Sequence, residues 1–113
     1  MRIEIKGRNL AVTGELRERV EKRFAKIARQ VSPLARLEVE LSEERNPSIR
    51  ESKVAEVTLY LKGVTLRAGD RSDSMVHSIN LVSEELARQV KRHRDKRRRR
   101  RETAKSEPRP AAT

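Results

Sequence analysis

The sequence predicts a two-layer α/β (α+β) domain of order β-α-β-β-β-α, a four-stranded mixed sheet with two helices packed on one face. Three observations predict it. Four short segments alternate apolar and polar residues, two longer segments repeat apolar residues every three or four positions, and each strand is apolar on one side only. One-sided strands need a single covering layer, and two amphipathic stripes supply it. If the strands flanking the first helix share a sheet, they run parallel through a right-handed crossover, while hairpins join the others.

Ile3 and Ile5 alternate with Arg2, Glu4 and Lys6, a first strand that Gly7 is expected to end. Leu16, Val20, Phe24, Ile27 and Val31 then step by four, four, three and four, one apolar stripe on a helix from about 14 to 31. Thr13 is its expected N-cap. Glu15 and Glu18 suit the first turn and Lys26 and Arg29 the last, and Ser32-Pro33 stops the helix. Leu37, Val39 and Leu41 mark a second strand, and a loop over residues 42–51 with Asn46-Pro47 breaks the pattern. Ala55, Val57, Leu59 and Leu61 form the inward side of a third strand, which Lys62-Gly63 turns into a fourth over residues 64–68.

From Ser72 and Asp73, the expected caps, a second helix carries Met75, Ile79, Val82, Leu86 and Val90 at steps of four, three, four and four. Beyond Val90 the stripe vanishes. Arg and Lys propensity extends the helix to about residue 100, with fraying expected from charge repulsion. Residues 102–113, with Pro108 and Pro110, read as a disordered tail or linker. The expected organisation is thus a folded domain over residues 1–96 and a basic tail over 97–113. The outer sheet face, with Arg2, Glu4, Lys6, Glu38, Glu40, Glu56, Thr58 and Tyr60, reads as a mixed-sign wet surface.

The charge is far from even. Ten of the 28 basic residues lie between positions 88 and 101, where Asp95 is the only acid, and positions 97–101 are all arginine. Residues 1–87 hold 16 bases against 14 acids, so most of the net charge of +11 is concentrated in one element. That is the footprint of a dense polyanion partner, because neutralised phosphates release condensed counterions. A solubilising charged tail is the plainer reading, but solvated tails usually mix signs. Membrane-surface binding fits poorly, since no Trp, Phe or Leu interrupts the run.

With no cysteine, thiolate metal sites, thiol nucleophiles and disulfides are excluded. No apolar run approaches a membrane span and no secretory h-region opens the chain, so a soluble, cytoplasmic protein is expected. His77 and His93 lie sixteen apart without patterned acids, which predicts no metal site. Asp70, Asp73, Glu84 and Glu85 accompany no nucleophile motif or phosphate-cradling loop, so capping and solvation explain them. The expected protein is not an enzyme and takes no cofactor or small-molecule substrate. Phe24 and Tyr60 are the only aromatics, too few for a sheet that stacks bases.

Two segments carry a specific likeness. Gly7-Arg8-Asn9-Leu10-Ala11-Val12-Thr13-Gly14-Glu15-Leu16-Arg17 with Val20-Glu21-Lys22-Arg23-Phe24-Ala25-Lys26-Ile27 is one; Leu66-Arg67-Ala68, Ser74-Met75-Val76, Ile79-Asn80 and Leu86-Ala87-Arg88-Gln89-Val90 is the other. Over residues 1–96 the chain resembles the ribosome hibernation promoting factors, also called ribosome-associated inhibitors. It departs from their pattern at Ser74, usually aspartate, Val76, usually tyrosine, Glu85, usually lysine, and Ala87, usually glutamate. Long members of that family add a C-terminal dimerising domain after a linker, and this chain stops at Thr113, where such a linker would begin.

The resemblance implies a partner and a mode of action. Family members lodge in the decoding cleft of the small ribosomal subunit against 16S-type rRNA, block tRNA and mRNA, and preserve idle ribosomes in stress or stationary phase. The expected protein is monomeric off the ribosome. Expected RNA contacts are Arg88, Lys91, Arg92 and Lys96, with Arg97 and Arg98 behind them, Arg88, Arg92 and Lys96 sharing one helix face. Arg23, Lys26 and Arg29 join them because matching family positions face the ribosome. The alternative is a general double-stranded RNA-binding module, since a small α/β domain with basic helix ends is similar to that class too.

Overall fold

The computed structural model describes residues 1–106, with side chains described to Arg101. Six elements follow in order: β1 (Arg2–Arg8), α1 (Gly14–Ala28), β2 (Arg36–Glu43), β3 (Lys53–Leu61), β4 (Val64–Ser72) and α2 (Met75–Ser106). The strands lie in sequence order in one sheet, β1 parallel to β2, with β2–β3 and β3–β4 antiparallel. The mixed sheet and the β-α-β-β-β-α order expected from periodicity are both present.

Register follows from the alternation. Ile3 opposes Leu37, which opposes Leu59, and Ile5, Val39 and Val57 form the next row, so apolar side chains stack across the sheet on one side. Both helices cover that side. Val20, Phe24 and Ile27 from α1 and Ile79, Val82, Leu86 and Val90 from α2 meet Leu37, Val39, Leu41, Ala55, Val57 and Leu59 in one core.

The outer sheet face is the expected mixed-sign surface. Arg2–Glu4, Arg36–Glu38 and Arg8–Glu40 pair along it, and Tyr60 donates its hydroxyl to Glu38 at 3.2 Å. The Arg36 guanidinium sits 4.4 Å above the Tyr60 ring. The chain's one tyrosine is thereby covered on a face where a base would have to stack.

Several boundaries move from those expected, each for a local reason. Gly7 does not end the first strand but pairs with Leu41 inside it, and a Cβ there would run into the Leu10 carbonyl oxygen. The turn comes at Asn9, whose φ of 62° is a conformation asparagine tolerates well. Helix α1 closes at Ala28 rather than near 31, with Arg29 donating its N–H to Ala25 and Ile27 and Gln30 donating to Ile27. Val31 packs against the core from the connection that leads to β2. Thr13 caps α1 as expected, its hydroxyl accepting from Leu16 N–H at 3.2 Å.

Strand β4 runs four residues past Ala68, because Gly69, Asp70 and Arg71 still pair with Glu56, Ala55 and Val54. Its polar composition hides this extension. Helix α2 therefore starts later than Ser72 and Asp73 imply: Ser74 Oγ accepts from His77 N–H at 3.4 Å and the helix begins at Met75. Ser72 acts one step earlier, accepting from Ser74 N–H at 3.1 Å and sharing a 2.8 Å hydrogen bond with buried Ser78, which donates to the Lys53 carbonyl at 2.6 Å. At the other end α2 reaches Ser106, so residues 97–106, expected to fray or be disordered, are helical. The remainder of the expected tail, 107–113, lies outside the described residues.

Candidate nucleic-acid interface

Packing α1 and α2 side by side over the sheet leaves a groove between them. A polar clasp joins its walls: Arg23 of α1 donates Nε–H to Ser83 Oγ at 3.0 Å and Nη2–H to Glu84 Oε1 at 3.2 Å. Ser83 in turn donates to the Asn80 carbonyl at 2.7 Å. Around the clasp the groove is lined by Arg19, Lys22, Lys26 and Ala87. From Lys26 and Ala87 it continues past Gln30, Arg88, Lys91, Arg94, Asp95, Arg97, Arg98 and Arg101. Ten basic side chains against Glu84 and Asp95 give this surface a strongly positive field.

The expected contact residues divide by position. Lys26, Arg88, Lys91, Arg97 and Arg98 line the groove, as does Arg23, with its guanidinium committed to the clasp. Arg29 instead caps α1, and Arg92 and Lys96 lie outside the groove wall. Of the three residues expected to share one working face, Arg88 and Arg92 stay together on the flank beside Glu85, and only Arg88 also reaches the groove. Arg88 stands at the groove edge, while Arg92 points toward Glu85 on the flank, 3.9 Å from its carboxylate.

Four groove residues lie outside the expected contact set: Arg19, Lys22, Arg94 and Arg101. A signal for two of them exists. Ala87, Lys91, Arg94, Arg98 and Arg101 step by four, three, four and three, so they continue the line of Asn80, Ser83 and Ala87 that borders the groove. Reading the phase from Ala87, not from Arg88, identifies this wall. For Arg19 and Lys22 the acids interspersed in α1 conceal the pattern, because Glu15, Glu18 and Glu21 dilute the charge in sequence but face elsewhere than this groove.

Glu85 is the main local counter-charge. It accepts from Arg88 Nη2 at 2.7 Å and Nε at 3.2 Å, and from Gln89 at 3.3 Å. The Arg88 hydrogen bonds, then that of Gln89, hold its carboxyl below the ordinary glutamate value of 4.5. Gln89 also donates to the Arg67 carbonyl at 2.7 Å, fixing α2 to the β4 edge. Glu84 is engaged by Arg23, and Asp70 accepts from Arg71 N–H at 3.0 Å. Among the described residues no three His, Asp or Glu gather as metal ligands, and no helix is long and apolar enough to cross a membrane.

A family model described as sigma 54 modulation protein / S30EA ribosomal protein matches residues 3–98. The chain belongs to this family. Its S30EA relatives include the ribosome hibernation promotion factor of a Picosynechococcus species, 35% identical over 97 residues, covering 85% of this chain and 50% of that protein. The protein of the same name from Staphylococcus aureus is 34% identical over 96 residues, covering 83% and 48%. The chain spans about half the length of the curated relatives it matches.

Solved structures carry the S30EA fold as well. The Thermus thermophilus Protein Y N-terminal domain superposes with a TM-score of 0.72 at 29% identity, over 82% of this chain and 99% of that one. A ribosomal subunit interface protein from Coxiella burnetii shares the fold, with a TM-score of 0.70 at 20% identity over 84% and 99%. The likeness to hibernation factors read from the two sequence segments is thus borne out.

Proposed function

We propose that this chain is the ribosome-binding domain of a hibernation factor. It docks on 16S-type rRNA in the decoding cleft of the small subunit and silences translation by occupying the path of tRNA and mRNA. The observation that carries this reading is the α1–α2 groove, ten basic side chains converging between two helices of a chain in the S30EA family. Phosphate binding by shape and charge, with little base readout, suits such a surface, and the covered Tyr60 leaves no stacking platform on the sheet.

The mechanism needs no catalysis. A rigid wedge held by phosphate contacts excludes competing ligands for as long as it remains bound, and its removal restores the ribosome unchanged. Residues 1–96 are assigned the docking role and residues 97–113 a basic extension of it. Off the ribosome the protein is monomeric and cytoplasmic.

Sedimentation with purified 70S ribosomes and small subunits tests the reading. The protein is expected to co-sediment with both, to exclude initiator tRNA, and to resist excess duplex RNA. Release by duplex RNA at comparable concentration would assign it to general double-stranded RNA binding instead.

A further inference from the structure

Among the residues whose side chains are described, Val90 is the last fully buried one of α2. From there to Ser106 the helix runs on for roughly 24 Å at 1.5 Å per residue. Lys91, Arg92 and every residue from Arg94 to Arg101 are exposed, and His93 is half-buried. Half of α2 therefore projects beyond the core.

The charge on this projection is not confined to the groove side. At 100° per residue, Arg94, Arg98 and Arg101 share the face that continues the groove, while Lys96, Arg99 and Arg100 cluster on the opposite face. Charge on both faces distinguishes a partner that surrounds the helix from one that touches a single side. A helix lying along one phosphate strand, or on the wide, shallow minor groove of duplex RNA, uses one side only. Basic residues on its far side would then add only repulsion, as between Lys96 and Arg100 four residues apart.

We propose that the projecting half of α2 is an inserting arm whose partner is a gap in folded RNA walled by phosphate backbones on two sides. The proposal rests on the RNA-binding reading above and adds the shape of the RNA element. The gap must admit a helix about 10–12 Å across with its side chains. A regular A-form major groove is too narrow, so the fitting elements are a major groove opened by an internal loop and a junction between two helices.

The full-length chain and two triple variants test this against three RNAs of equal length at fixed salt: a hairpin opened by an internal loop, a perfect hairpin and a single strand. One variant is Arg94→Gln, Arg98→Gln, Arg101→Gln; the other is Lys96→Gln, Arg99→Gln, Arg100→Gln. Glutamine keeps helix propensity, which circular dichroism checks. Both triples are expected to weaken binding to the looped hairpin by about ten- to fiftyfold, the effect of losing three phosphate contacts. The unsubstituted chain is expected to prefer that hairpin over the other two RNAs. Unchanged affinity in the Lys96 triple, or no preference for the looped hairpin, overturns the arm. Loss of neither triple's affinity, together with none for Lys26→Gln, Lys91→Gln, would instead overturn the RNA-binding reading itself.

Discussion

Arg23 of α1 reaches across to Glu84 of α2, donating at 3.2 Å, while its Nε bonds Ser83 at 3.0 Å. A residue that charge alone assigns to RNA is thus also a clasp between the two walls of the groove. Its ion pair is half-exposed, so its worth lies mainly in the bond to buried Ser83. Arg23→Ala should destabilise the protein by about 1 kcal/mol. Lys26→Ala, a substitution on the exposed groove wall, should stay within about 0.5 kcal/mol. Urea denaturation of the two variants distinguishes a structural arginine from a surface lysine.

Glu85 restrains the flank of the interface by engaging Arg88 and Arg92. Glu85→Gln should release both guanidinium groups for phosphate and steepen the log-log salt slope of RNA binding by about one. Salt titrations of the variant and the parent chain on one RNA check this. A shallower slope would mean that Glu85 positions these arginines productively.

The same carboxylate gives a pH signature. Its pKa is lowered on folding, so its contribution is present above the ordinary value of 4.5 and is lost as pH falls through the lower, folded-state value. Relative to Glu85→Gln, the parent chain should lose stability on acidification below about pH 4.5. Thermal melts of both proteins between pH 6 and pH 3 should converge as Glu85 protonates.

Ser78 is buried, donates to the Lys53 carbonyl at 2.6 Å and shares a hydrogen bond with Ser72 at 2.8 Å. Ser78→Ala removes both bonds and leaves the part-buried Lys53 carbonyl without its Ser78 donor, which should cost about 1–3 kcal/mol. Amide exchange should then show the first turn of α2 opening before its middle.

Gly7 and Gly14 offer a matched pair. A Cβ at Gly7 meets the Leu10 backbone, whereas one at Gly14 has nothing within 4 Å. Gly7→Ala should destabilise by about 1–3 kcal/mol through displaced backbone. Gly14→Ala, at the first residue of α1, should be neutral or stabilising by up to about 1 kcal/mol.

The succession of elements and the core were legible because half-burial writes itself as alternation: Leu37, Val39 and Leu41, and Leu59, Val57 and Ala55 that pair with them, each mark the buried side of a strand. The ends of elements were less so. Residues 69–71 pair on an edge strand through backbone groups, which leave no apolar trace, and Gly7 reads as a stop only until its neighbour Leu10 is placed. The continued α2 shows that helix propensity persisted where repulsion was expected to fray it. At the candidate interface, composition located the basic element but not the side of it that lines the groove. That side depends on where α1 packs, a tertiary relationship that puts Lys91, Arg94 and Arg98 opposite Lys26 and turns Arg92 toward Glu85.

The central claim is that the α1–α2 groove binds ribosomal RNA through its phosphates. The most direct measurement is binding to purified small subunits across a salt series, for the parent chain and for Lys26→Gln, Lys91→Gln, Arg94→Gln. With about six phosphates neutralised, the parent chain should give a log-log slope around −4 to −5, and the triple should lower its magnitude by about two. A near-flat salt dependence, or a triple indistinguishable from the parent chain, would contradict the account.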